Sequence, residues 1–205
     1  MEIQIEFIDT LIFDLGGVFI KLTGVEQMME WTRHRYTVGE LWDVWLNSDS
    51  VKGFETGGMD ALTFARGIID EYDLPVGTDE FLFHFTTWAS ELFPGSRRLL
   101  TGLKNQYTLV SLSNTNSIHW DLLCDRYGLN SFFHHNFPSH EIGKIKPSTD
   151  AFDYVLDKLP SPPERVLFFD DTLNNITSAR KAGIQGFQVQ GLEGLSDMLT
   201  QLKLL

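Results

Sequence analysis

Asp14 directly follows a short apolar run, and so do Ser113-Asn114 and Asp170-Asp171; Lys146 stands in a loop just before Pro147 and Ser148. Together they would give three carboxylates, a hydroxyl and an ammonium. Like charges raise each other's pKa, so three carboxylates cannot crowd together without compensation. A hard divalent cation supplies it, and Mg²⁺ accepts a few carboxylates, a carbonyl and waters. A cation and Lys146 would then leave a positive hole shaped for a phosphoryl group. Ser113, nearby backbone N–H groups and Lys146 would hold its oxygens. A carboxylate held against that phosphorus can attack it and form an aspartyl-phosphate.

The elements that must carry these groups show in the changing hydrophobic period. Thr10–Phe13 is an apolar run that ends at Asp14, with Gly16 and Gly17 after it, which reads as a buried strand entering a tight turn. Tyr107–Leu112 and Val166–Phe169 are similar runs, and Phe132–Phe137 and Gly186–Val189 are weaker ones. Between them lie helical spacings: Ile118, Leu122, Leu123 and Tyr127 before Gly128; Phe152, Val155, Leu156 and Leu159 before Pro160; Ile176, Ala179 and Ala182 before Gly183. Strand and helix in alternation predict an α/β fold, a parallel sheet covered on both faces. In such a sheet ligands bind at the carboxyl ends of the strands, where Asp14, Ser113 and Asp170 would sit.

Leu22 to Phe93 breaks the alternation and reads as all-helical. Val25, Met28, Met29 and Thr32 make one face. Thr37-Val38-Gly39-Glu40 is a capping box before a stripe of Val38, Leu41, Trp42 and Trp45. Asp60 and Thr78 are candidate caps for two further helices, and Gly57-Gly58 reads as a turn between cap helices. Trp31, Trp42, Trp45 and Trp88 all fall in this stretch and are expected to form its core. The predicted organisation is a core of residues 1–21 and 94–205 with a helical cap of residues 22–93 inserted after the first strand.

The order FDLGGV, LSNTN, GKIKP, FFDDTLNN resembles the haloacid dehalogenase-like hydrolase superfamily, and most closely its phosphatase branch with an inserted helical cap. The resemblance spans nearly the whole chain, and its specificity lies in the set of motifs rather than in any one. It implies a three-layer, Rossmann-like core and a mobile cap. Carried over residue by residue, it implies Asp14 as nucleophile and metal ligand, with Ser113 and Lys146 binding the phosphoryl group and Asn114 assisting. Lys146 would also hold Asp14 ready for attack. Asp170 and Asp171 would anchor Mg²⁺, and Asn175 would support the acidic pair from behind.

One position departs from the pattern. Family phosphatases usually carry a second Asp two residues after the nucleophile, which protonates the leaving alkoxide and later activates water; here that residue is Gly16. Its backbone carbonyl can still reach Mg²⁺, but the acid/base function is missing. Such help is typically worth about 10²–10⁴-fold. His34 in the cap, or the substrate itself, is a candidate for the missing donor. The expected activity is a Mg²⁺-dependent phosphatase of small phosphorylated metabolites, sugar phosphates among them. The alternatives are a haloacid dehalogenase-type hydrolase, which also lacks an acid at this point, and a weakly active phosphate-binding protein. Dehalogenases need no metal and typically do not keep the acidic pair, so Asp170-Asp171 argues for phosphorus.

Composition sets the outer limits. The chain has 205 residues, with 28 Asp+Glu against 16 Lys+Arg, for a formal net charge of −12. A surface this acidic repels nucleic-acid phosphates and anionic membranes, so neither is an expected partner. The single cysteine, Cys124, cannot form an internal disulfide, which fits a reducing, cytoplasmic location. Met1 to Asp9 carries Glu2, Glu6 and Asp9 and no basic residue, unlike an export signal.

Overall fold

The computed structural model describes residues 7–89 and 91–205; most of the acidic amino-terminal stretch weighed above, residues 1–6, lies outside them. Among the described residues the central sheet has five parallel strands: β1 (Thr10–Phe13), then β4 (Thr108–Ser113), β5 (His135–Pro138), β6 (Val166–Asp170) and β7 (Gln185–Gln188), in spatial order β5-β4-β1-β6-β7. β2 (Ile20–Lys21) and β3 (Glu91–Leu92) form a small antiparallel ribbon apart from it. Every residue of β1 and β6 is buried, as parallel strands covered on both faces require.

Alternation assigns the two faces. Leu11 and Phe13 of β1, with Leu109, Leu167 and Phe169, point into one apolar layer. There they meet Leu100 and Leu103 of α6 (Ser96–Lys104), Trp120 and Leu123 of α7 (Ser117–Tyr127), and Leu195 and Leu199 of α11 (Gly191–Gln201). Ile12, Val110, Val166 and Phe168 point the other way. They pack on Phe152 and Val155 of α9 (Thr149–Leu156) and on Ile176 and Ala179 of α10 (Leu173–Lys181). Fully burying one such side chain is worth about 1.5–3 kcal/mol, so the strand register is set by which residues face each layer. α8 (Ser139–Ile142) is a single turn after β5.

Between β2 and β3 the described residues form five helices: α1 (Gly24–Trp31), α2 (Val38–Asn47), α3 (Asp49–Glu55), α4 (Ala61–Tyr72) and α5 (Thr78–Phe85). They bury an apolar cluster of their own, with Phe54, Phe64, Phe81, Phe85, Trp31 and Trp88 at its centre. Thr37 and Glu40 close both halves of the capping box, and the Asp60 carboxylate accepts from the N–H groups of Leu62 and Thr63. Thr78 differs from expectation: Gly77 is the N-cap and Thr78 the first helical residue. The α2 stripe differs too, since Leu41 is buried but Val38 is 51% and Trp42 37% exposed. α2 thus lies on the outside of the bundle and contributes only Leu41 and part of Trp45 to it.

The insert meets the sheet domain at His119. Its Nε2 lies 2.6 Å from Phe85 O and its Nδ1 3.2 Å from Asn116 Nδ2, and the ring packs on Phe85. The neutral tautomer that donates from Nε2 satisfies both contacts, and burial pushes this imidazole down to about 4. Among the described residues no helix is long and apolar enough to cross a membrane.

Candidate active site

The sheet order places β1 between β4 and β6, so the groups at their carboxyl ends become neighbours. Phe13 is in register with both Ser111 and Phe169. Asp14, one residue on, therefore emerges beside Asp170, and Ser113 ends the adjacent strand. One carboxylate oxygen each of Asp14, Asp170 and Asp171 lies within 4.8 Å of the others. Asp170 is fully buried, Asp14 nearly so and Asp171 partly.

Lys146 sits between two of these acids, 3% exposed, its Nζ 2.9 Å from Asp14 Oδ1 and 2.6 Å from Asp170 Oδ2. Burial disfavours its charge, but the two carboxylates outweigh burial and raise its pKa. The opposite balance holds at Asp14. Burial pushes its carboxyl up, Lys146 draws it down, and Asp170 and Asp171 push it up again. Three carboxylates against one ammonium leave an excess of acidic groups at the strand ends. The donors are all oxygens, the set a hard divalent cation takes, so the residues present fit Mg²⁺.

The supporting shell is ordered by hydrogen bonds. Asn175 Nδ2 donates to both oxygens of Asp170, and Thr172 N–H donates to Asp170 Oδ1 at 2.8 Å. Asn114 is tied to Lys146. Its amide donates to Lys146 O and accepts from Lys146 N–H, both at 2.8 Å, so it clips the lysine backbone across the gap between loops. The side chain expected beside the phosphoryl group thus also fixes the backbone of Lys146. Ser113 is buried at the strand end, and its Oγ makes no hydrogen bond among the described residues. At Gly16 the bridge to Ile20 uses Leu15 O and Gly17 N–H, which leaves the Gly16 carbonyl out of it. His34 lies exposed in the left-handed turn after α1 and is not among the charges that act on Asp14.

Glu55, the last residue of α3, was not legible as a site residue. Its carboxyl is half-buried at the inner end of the insert, and the charges acting on it are Asp14 and Lys146. The only signal in the sequence was the Gly57-Gly58 pair that follows.

Gly17 has φ +69°, and a Cβ there would lie 2.2 Å from Asp171 Oδ2. Gly17→Ala is therefore expected to displace the Asp171 carboxylate and to weaken Mg²⁺ affinity by about 10–100-fold, the usual cost of disturbing the support of a metal ligand. A Mg²⁺ titration of thermal stability measures this; wild-type affinity would remove Asp171 from the cation site.

A family model for haloacid dehalogenase-like hydrolases matches residues 8–183. The chain belongs to this family and is a hydrolase with its Rossmann-like α/β fold. It is 22% identical over 188 residues to D-ribitol-5-phosphate phosphatase of Bacteroides thetaiotaomicron, covering 88% of this chain and 91% of that protein. It is 32% identical over 94 residues to drimenol cyclase DrtB of Aspergillus calidoustus, but those cover 46% of this chain and only 18% of the cyclase. Among solved structures, the family enzyme BT-2542 of Bacteroides thetaiotaomicron, in complex with magnesium and inorganic phosphate, superposes with a TM-score of 0.73. It is 25% identical, over 89% of this chain and 94% of that one.

Proposed function

We propose that the protein is a Mg²⁺-dependent phosphatase of small phosphorylated metabolites, sugar phosphates among them, working through an aspartyl-phosphate on Asp14. The observation that carries this is the convergence of Asp14, Asp170 and Asp171 around the buried ammonium of Lys146. Asp14, Asp170, Asp171 and the Gly16 carbonyl would hold Mg²⁺, which when bound screens the nucleophile from the phosphate charge and polarises the phosphoryl oxygens. Asp14 attacks phosphorus; Lys146 fixes the orientation of Asp14 and, with Ser113 Oγ and loop N–H groups, binds the phosphoryl oxygens. Residues 22–93 act as the cap that covers the bound metabolite and selects it. Two similarities support the reading: one relative is a D-ribitol-5-phosphate phosphatase, and one solved relative holds magnesium and inorganic phosphate. A carbon–halogen hydrolase would need Asp14 but would leave the other two carboxylates without a use. A cytoplasmic site of action accords with the unpaired Cys124.

The test is hydrolysis of 4-nitrophenyl phosphate and of a panel of sugar and polyol phosphates, with Mg²⁺ and after chelation. Turnover is expected to fall about 10²-fold or more on chelation and to return with Mg²⁺. Mg²⁺ at about 100 times its Kd should also stabilise the fold by about 2.7 kcal/mol. Metal-independent turnover, or halide release from 2-chloropropionate, would overturn the proposal.

A further inference from the structure

We propose that Glu55, reaching in from the cap, is the general acid/base of the reaction and takes over the work that Gly16 cannot do. The inference rests on the phosphatase reading above and adds a residue to it. Three observations meet at this side chain.

The first is that the usual place for the acid carries none: the residue is Gly16, which has no side chain to offer. The atoms nearest to a Cβ there would be side-chain carbons of Leu22, at an ordinary 3.4 to 3.8 Å, so the group beside that position is apolar and cannot stand in for the acid. The second is how α3 is anchored. Phe54 stacks on Phe64 at 4.4 Å, and Val51, one turn before Glu55 on the same face, is 2% exposed. Directly after the helix, Gly57 adopts φ +73° and comes so close to the sheet domain that a Cβ would lie 2.2 Å from His140 O. His140 belongs to α8, whose Ser139 Oγ is bonded to both Thr115 N–H and Thr115 O in the loop after Ser113. The end of α3 is thus seated on the loops at the carboxyl end of the sheet.

The third is the environment of the carboxyl. Glu55 has no hydrogen bond or ion pair among the described residues, although the charges it feels are the nucleophile and its lysine. An unpaired carboxyl at the docked end of α3, near enough to feel the charges of Asp14 and Lys146, can exchange a proton with substrate. Burial, with Asp14 adding to it, pushes this carboxyl up to about 7, where both protonation states are accessible at neutral pH.

The proton ledger closes without a further reactant. As Asp14 Oδ bonds to phosphorus and the P–O bond to the leaving group breaks, Glu55 gives its proton to the departing oxygen, and the alcohol leaves neutral. Glu55, now a carboxylate, takes a proton from water as that oxygen bonds to phosphorus and the Asp14–phosphorus bond breaks. Inorganic phosphate leaves, and Asp14 and protonated Glu55 are restored.

Leaving groups separate this role from a structural one. The phenolate of 4-nitrophenyl phosphate departs without a proton, whereas phenyl phosphate releases a phenol that titrates near about 10. In Glu55→Gln, kcat/KM is expected to fall by about 10²-fold or more on phenyl phosphate and by less than about tenfold on 4-nitrophenyl phosphate. The second step loses its base, so 4-nitrophenolate should appear in a burst, and acid-quenched protein should carry the added mass of one phosphoryl group. A second variant leaves Glu55 in place. With an acid already supplied, Gly16→Asp should raise phenyl phosphate turnover by less than about threefold, well below a full acid/base contribution. Equal losses on both esters in Glu55→Gln, undiminished turnover of phenyl phosphate, or a large gain from Gly16→Asp would each overturn the role of Glu55. Failure of the phosphatase reading looks different: wild type would then hydrolyse neither ester with Mg²⁺.

Discussion

Asp14→Asn is expected to lower Mg²⁺-dependent phosphate ester hydrolysis by at least about 10³-fold while leaving the protein folded. The amide keeps the shape of the side chain but cannot form the acyl phosphate, and it removes one negative charge from the cation site. Folding should not suffer. Burial and two neighbouring carboxylates already work against the Asp14 charge, and Lys146 keeps its 2.6 Å partner Asp170. The relief of like-charge repulsion offsets the lost ion pair, so the metal-free variant should melt at or slightly above the wild-type temperature near pH 7.5. Two measurements decide the matter: steady-state turnover with Mg²⁺, and mass analysis of acid-quenched enzyme, where the phosphoryl adduct should be absent. Undiminished turnover in a verified variant would mean that another group attacks phosphorus.

The residues that sequence alone could place are those whose neighbours along the chain fix their direction. Asp14 and Asp170 each end a run whose burial on both faces leaves the next residue only the sheet edge to occupy. Their type and the parallel order of the strands then sufficed. Lys146 and Asn114 are harder, because their partnership spans 32 residues and joins two loops. The sequence suggests an amide near the phosphoryl group; the fold uses that amide to hold the lysine backbone. Glu55 is harder still. α3 is seven residues long, too short for its period to stand out beside α2, and its direction depends on where the insert docks. The ribbon of β2 and β3 has two residues in each strand and carries no alternation to read. The α2 stripe failed for the converse reason: Val38 and Trp42 have helical spacing, yet the bundle packs against only part of that face.

Lys146→Met should damage both activity and stability, and the second effect identifies its electrostatic role. Its ammonium is the only cation within ion-pair distance of Asp14 and Asp170 among the described residues. Methionine fills a similar volume but leaves both buried carboxylates without a cation. Breaking a buried ion pair from one side costs about 3–5 kcal/mol. For a chain of this size that corresponds to a fall in Tm of about 6–20 °C. The deficit should depend on pH with a definite sign. Asp14 already holds its proton more tightly folded than unfolded, so its protonation favours the fold; that contribution is present at low pH and is lost as pH rises through the raised value. Without Lys146 the value rises further, and the variant should lose more stability relative to wild type at pH 8 than at pH 5. Mg²⁺ acts in the same sense as the missing ammonium, so it should raise the Tm of Lys146→Met by more than it raises that of wild type. Melting curves of both proteins at the two pH values, with and without Mg²⁺, test this directly. A deficit that is independent of pH and untouched by Mg²⁺ would assign Lys146 a packing role and return the charge balance of the site to Asn175 and the loop N–H groups.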